Sequence, residues 1–478
     1  MKHLLFYILF MFFFTQESEA QTNANIPSPE NVLVVYKLPN GLADTLGWVS
    51  DSVKTYYQNA RSIPESNILG LDNLVFNDTI TYPSGGVWMD DYKEVYISDY
   101  NKAAWECYVD KIKTPIENYL NSTIVNGVAL KNTIRYIVMC KGVPMKLLTY
   151  IDFNADLDPD PNVESNPSYW TKYNVSIDAL TCLLYNPVIN LYGTSYSSLS
   201  NPYYNQADMS FQFNKRFLTN YFHNGSWYVN YLVTRLDGNS YNDIIGMIDR
   251  ANASDYTGNK WWIMDADTCH NQGVTKSVHS QNLIKNSLNR LKSYGFNTNP
   301  LNYDPWCDFI LDNSIGSNEP VMGYTSCGRH SWMLLCNPEH NPAYIQLCLE
   351  FDYANGAIFN TFESYNGFSM YINNRYDDHG MVSEFIKMGG TCGVGHTWEP
   401  LLGGAAKNDN LFNLYQMGYS FADAAYQSIP ILAWNNVVVG DPLTAIAWGK
   451  QTLLTNLNWS GANLVTGEVN IPSGKIFL

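Results

Sequence analysis

Short apolar, β-branched runs alternate along this chain with stretches of helical periodicity, and that rhythm most restricts the fold. Asn31-Val-Leu-Val-Val-Tyr36 reads as a buried strand, and Val49, Val53, Tyr56, Tyr57 and Ala60 then share one helical face. Arg61-Ser-Ile-Pro64 stops that helix, and Asn67-Ile-Leu-Gly-Leu71 is the next strand. A helix over about 103–119 leads into the apolar run 133–140, and 228–236 is a further strand. Ser240 caps a helix carrying Ile244, Ile245, Met247 and Ile248. The runs 261–264, 320–325, 356–361 and 434–443 continue the strands, and Ser420-x-x-Asp423 opens a helix before the last of them. Strands alternating with helices in this way predict an α/β domain on a mostly parallel sheet.

Two regions depart from the rhythm. Asp, Asn, Pro, Ser and Tyr dominate 150–204, which predicts a long irregular insertion. Residues 453–478 alternate short β-formers with Asn, Ser and Gly, as the first strands of a β-rich module would. The chain stops at Leu478 in mid-strand, so that module is expected to continue in the natural protein. The expected organisation is a leader over 1–20, an α/β domain over 21–449 with the insertion, and the start of the β-rich module over 450–478.

The leader has the parts of a secretory signal: Lys2-His3, an apolar core from Leu4 to Phe14, and a small-residue exit at Ser18-x-Ala20. That core is shorter than the roughly 20 residues a spanning helix needs. Export is therefore expected, with a mature start at Gln21 and no membrane span after it. The destination is the periplasm, the cell surface or the extracellular medium.

A net charge of −16 without any basic cluster argues against a nucleic-acid partner. It suits Ca²⁺ or a cationic ligand better. Nine cysteines show no CxxC spacing, and several lie in apolar runs, as Cys140 does, so few disulfides or none are expected. No GxSxG, HExxH, P-loop or dinucleotide fingerprint occurs.

Several segments carry a family resemblance. Asn31-VLVVY-36, YYQNARSIPESNILGL (56–71), IRYIVMCKGVPMKL (134–147), NPYY (201–204), YLVTRLDG (231–238) and WNNVVVGDPL (434–443) resemble a family of exported bacterial proteins often encoded beside exosortase-type sorting systems. That family is similar in fold to the gingipain and caspase-like cysteine peptidases. The resemblance implies a three-layer α/β sandwich over about 31–448. It also implies a His-Gly after one sheet strand and a nucleophilic Cys after the next. Here those positions correspond to Gly323–His330 and to 356–364, and the second holds no cysteine.

Ligands of open α/β sheets bind beyond the carboxyl ends of strands. Those ends read Lys141, Asp237, Asp265 and Asp267, Cys327 and His330, Glu363, then Glu399 and Asp441. Cys327 and His330, with Glu363 beside them, are the candidate catalytic set, because a base within reach activates a thiol. Asp237, Asp265, Asp267, Cys392, His396 and Glu399 are candidate binding residues. Cys392-Gly-Val-Gly-His396 reads as a Gly-rich loop that brings its Cys and His together, and Cys327, His330, Cys392 and His396 have zinc-ligand types. Asp152, Asp156, Asp158 and Asp160 form a candidate calcium site, without the Gly and Glu an EF-hand requires. Asp237-Gly238 and Gly440-Asp441-Pro442 also read as plain turns. Two functions compete: a binding or assembly domain for a surface protein or glycan, and a secreted cysteine-type hydrolase using Cys327 and His330. A glycan-binding or glycosidase-like role rests on aromatics and carboxylates alone.

Overall fold

The computed structural model describes residues 28–72, 74–76, 78–83, 85–90, 96–99, 103–149, 174–185, 200–201, 203–204, 229–254, 260–265, 284–287, 289, 301–304, 320–326, 349–373, 380–416, 419–446, 451–452 and 469–470. Ten strands form its large sheet: β1 (Val32–Lys37), β2 (Ile68–Leu71), β3 (Tyr136–Cys140), β4 (Leu232–Leu236), β5 (Trp261–Asp265), β6 (Leu301–Asp304), β7 (Val321–Ser326), β8 (Tyr353–Asn360), β9 (Cys392–His396) and β10 (Asn436–Val439). Their order is β6-β5-β7-β8-β9-β10-β4-β3-β1-β2. Every neighbouring pair is parallel except β9 with β10. The sheet is therefore two parallel halves joined at one antiparallel seam. Carboxyl ends of β1 to β4 and β10 line one edge, and those of β5 to β9 line the opposite edge.

The apolar runs become strands because both faces of the sheet are covered. β3, β4 and β7 are buried along their whole length, as parallel strands between two helical layers are. α1 (Thr45–Arg61), α2 (Ala103–Tyr108), α3 (Thr114–Ser122), α4 (Ile177–Thr181), α5 (Tyr241–Asn252), α6 (Val382–Lys387), α7 (Asn408–Gln416) and α8 (Phe421–Ser428) supply the principal helices. Alternation along β8 fixes the layers. Phe359 stacks on Phe385 of α6, with ring centroids 5.1 Å apart. The next side chain, Asn360, points to the other face and donates to the Ala406 carbonyl just before α7. Trp262, on that second face, packs on Phe412 of α7 at 5.2 Å. The expected α/β fold with a mostly parallel sheet is thus observed, with helices on both faces.

Local chemistry sets the element ends. Asp44 accepts from the Gly47 N–H at the start of α1, and Ser62 closes that helix in the left-handed region at φ 55°. Ser240 and Asp243 form a reciprocal capping box on α5.

Two features depart from the sequence reading. The expected irregular stretch 150–204 includes an ordered piece: Asn174–Ser176 is a strand, and α4 follows it with Ile177, Leu180 and Cys182 buried. Three residues of strand and five of helix are too short for periodicity to reveal. Asn174–Ser176 also edges a second sheet with Lys146–Thr149, Tyr96–Asp99, Gly85–Asp90 and Asp78–Tyr82, in that order. Secondly, Cys392–His396 is not a tight loop but strand β9. Its glycines admit close neighbours: a Cβ at Gly395 would lie 2.8 Å from Val382 Cγ2 and 3.1 Å from the Gly367 Cα.

Candidate functional site

The antiparallel seam divides the sequence-predicted residues between two edges, about 13 Å apart along the four residue steps of β9 at about 3.3 Å each. On the first edge a buried ion network closes on itself. Arg235, fully buried on β4, meets Asp178 of α4 through two hydrogen bonds of 3.0 and 2.7 Å and donates to the carbonyls of Val143 and Pro144. Asp237 lies 3.5 Å from Arg235 and 3.0 Å from the Lys141 ammonium. Lys141 also donates to the Gly238 carbonyl and sits 4.1 Å from the ring centre of Tyr371. Asp237 is therefore more than a turn former: it bridges two cations. The network is well satisfied, which a buried ion cluster needs in order to offset its desolvation.

Asp441 serves the same edge. Its carboxylate accepts from the Tyr57 hydroxyl at 2.7 Å and pairs with Arg61, tying the turn after β10 to α1. Cys392 opens β9 on this side, donating to the Thr444 hydroxyl at 3.5 Å. Burial pushes its thiol up to about 12, so it stays protonated and unreactive at neutral pH.

On the second edge the ends of β5, β7, β8 and β9 follow one another. Asp265 is in register with Ser326, and Phe362 donates its N–H to the Ser326 carbonyl at 3.1 Å. Glu363 follows, with His396 beside it. The Glu363 carboxylate accepts from the Thr361 hydroxyl and from the Gly380 N–H, each at 3.2 Å. Its backbone carbonyl lies 3.0 Å from Nδ1 of His396. Asn366 braces the turn, donating to the Thr361 hydroxyl at 3.0 Å and accepting from the His396 N–H at 2.7 Å. Tyr365 between them takes a positive φ of 59°, a conformation that costs energy in a residue with a Cβ.

The tautomer of His396 follows from these contacts. A carbonyl only accepts, so Nδ1 carries the hydrogen. Burial lowers the imidazole pKa to about 4, and the ring is neutral at physiological pH. Nε2 then presents a bare lone pair, and it has no hydrogen-bond partner among the described residues. A neutral, oriented imidazole with an open acceptor can take a proton or bind a donor.

Glu363 and His396 are thus brought together, through a backbone carbonyl rather than through the carboxylate. Asp265 lies farther along their edge, and Glu399, half-buried, gives its carbonyl to Asn435. Asp237 and Cys392 are on the first edge, so Cys392 cannot share a zinc ion with His396. Among the described residues no cluster of three or more metal-ligating side chains occurs. Cys327, His330, Asp267 and the Asp152, Asp156, Asp158 and Asp160 set lie outside the described residues. The residues the sequence reading missed are Arg235 and Asp178. A charged residue within the apolar run YLVTRL was the available signal for Arg235.

No family model matches the chain, and no curated protein sequence matches it. Solved structures resemble it in outline. One is the complex of pro- and mature domains of RgpB from Porphyromonas gingivalis, with TM-score 0.37 and 10% identity over 89% of this chain and 84% of that one. Another is gingipain R, described as an Arg-specific cysteine proteinase, with TM-score 0.33 and 11% identity over 91% and 83%. A third, described as a protease, has TM-score 0.38 and 11% identity over 90% and 81%.

Proposed function

We propose that the protein is exported and works outside the cytoplasm as a binding or assembly domain rather than as a cysteine peptidase. Export rests on the basic, apolar and small-residue parts of residues 1–20. Among the described residues no helix is long and apolar enough to cross a membrane. One observation carries the binding reading. In the loop after β8, where the resemblance would place a nucleophilic thiol, the chain has Glu363, whose carboxylate is bonded to its own loop at Thr361 and Gly380. That loop is organised to hold His396, not to attack a substrate. The described cysteines 107, 140, 182 and 392 are all buried, and burial raises the thiols of Cys140, Cys182 and Cys392.

Cys327 is the residue on which a hydrolase would depend. Native protein is treated with a thiol-reactive peptidyl probe and mapped by mass spectrometry, beside the Cys327→Ala variant. The binding reading expects no adduct at Cys327 in the folded protein. Rapid, saturable labelling of Cys327 would overturn it in favour of the hydrolase.

A further inference from the structure

The segment after β8 carries two residues of the second half onto the first edge, where they sit as a bound peptide would. Residues 361–367 are buried and hold His396. Lys146 clamps the chain just beyond them, donating to the Phe368 carbonyl at 2.7 Å with its ammonium 3.4 Å from that ring's centre. Ser369 and Met370 are buried as well, then Tyr371 and Ile372 are half-buried and Asn373 is exposed. The chain thus surfaces at Tyr371.

There it meets the carboxyl ends of β3 and β4. The Tyr371 ring centre lies 4.1 Å from the ammonium of Lys141, the residue after β3. The next residue, Ile372, donates its N–H at 3.1 Å to the side-chain oxygen of Asn239, shortly past β4. An aromatic face on a cation and a backbone amide on a fixed acceptor are means by which proteins read peptides. Carboxyl ends of parallel strands are also where open α/β sheets take their ligands.

Neither receptor group depends on the residues it holds. Lys141 has two other acceptors, the Asp237 carboxylate at 3.0 Å and the Gly238 carbonyl at 2.9 Å, which aim its ammonium and leave one direction for the ring. Asn239 lies between Gly238, whose N–H bonds to Asp237 at 2.8 Å, and Ser240, the N-cap of α5, so its backbone is fixed on both sides. A preformed site costs little ordering when it is filled. The occupant is less firmly committed. The N–H of Tyr371 bonds within its own segment, to the Ser369 hydroxyl at 3.0 Å, and neither Tyr371 nor Ile372 belongs to a helix or strand.

We propose that Lys141 and Asn239 form a peptide-docking site on the first edge, filled in cis by Tyr371 and Ile372. Its partner is a protein segment presenting an exposed aromatic residue followed by a residue with a free backbone N–H. The inference deepens the binding reading and rests on it. A tethered occupant competes at high effective concentration, so the native protein blocks itself and loss of the Tyr371 ring opens the site. An aromatic residue followed by proline is refused, since proline has no N–H to give Asn239.

The test titrates a fluorescein-labelled peptide with the sequence of residues 370–373 into the whole protein and its Tyr371→Ala variant, read by anisotropy. Binding is expected to be about tenfold tighter to Tyr371→Ala than to the native protein, the range of one cation–aromatic contact. It should be lost when Asn239→Ala is added. It should also be lost when leucine replaces the peptide's tyrosine or proline its isoleucine, changes that probe the same contacts without touching the fold. Equal binding to native protein and variant, binding indifferent to the peptide changes, or no binding would overturn the proposal. The peptide is weighed after titration: cleavage would overturn the binding reading, whereas an intact, unbound peptide overturns this inference alone.

Discussion

His396 concentrates the residue-scale consequences. Its pKa is about 4 in the fold against 6.5 in the unfolded chain, because burial disfavours the charged ring. The unfolded state therefore binds more protons between these values, and stability contributed by the neutral ring is full above pH 6.5 and lost as pH falls through 4. The displacement corresponds to about 3 kcal/mol. His396→Gln is expected to flatten the acid limb of stability between pH 6.5 and 4, measured by urea midpoints across that range. An unchanged limb would show that His396 is not buried in neutral form. The cysteines give a second prediction. Cys140, Cys182 and Cys392 should resist a small thiol reagent at pH 8 in the native protein and react promptly in denaturant, followed by mass spectrometry. Fast native labelling of any of the three would contradict its burial.

At the scale of elements, the seam depends on glycines that let the chain cross strand β9 closely. A Cβ at Gly395 would meet Val382 and the Gly367 backbone at once, so Gly395→Ala is expected to destabilise by about 1–3 kcal/mol in a denaturant titration. A neutral outcome would mean that the crossing segment and α6 yield freely. Arg235→Met tests the other edge: it strands Asp178 in the interior, while Asp237 keeps Lys141, and is expected to cost about 3–5 kcal/mol. Adding Asp178→Leu should recover much of that loss, and additivity of the two losses would argue against the pairing. The strands β1, β3, β4 and β7 were legible in the sequence because apolar runs of this length carry their own signal. The nature of β9 was not. Gly393 and Gly395 look like loop formers until the neighbours that need their missing side chains are known. Strand 174–176 and α4 were hidden by brevity, and their burial comes from tertiary contacts rather than local pattern.

Across the whole molecule, the sequence conveyed an α/β domain but not the reversal between its halves. Strand direction at the seam is set by long-range pairing of β9 with β10, about 40 residues apart, and no local pattern records it. That reversal is what separates Asp237 from Glu363, residues that look like one row when strand ends are read in sequence, while the extended strand β9 itself holds Cys392 and His396 at opposite edges. A segment after β8 ties the halves together over the seam: Gly367 donates to the His396 carbonyl, Lys146 to the Phe368 carbonyl, and Ile372 to the Asn239 side chain. The loop that holds His396 is thus anchored on both halves. The most direct test is turnover. Purified native protein and its Cys327→Ala variant are incubated with a diverse peptide library, and products are read by mass spectrometry. The binding account predicts no cleavage above background by either protein; cleavage by the native protein that disappears with Cys327→Ala would contradict it.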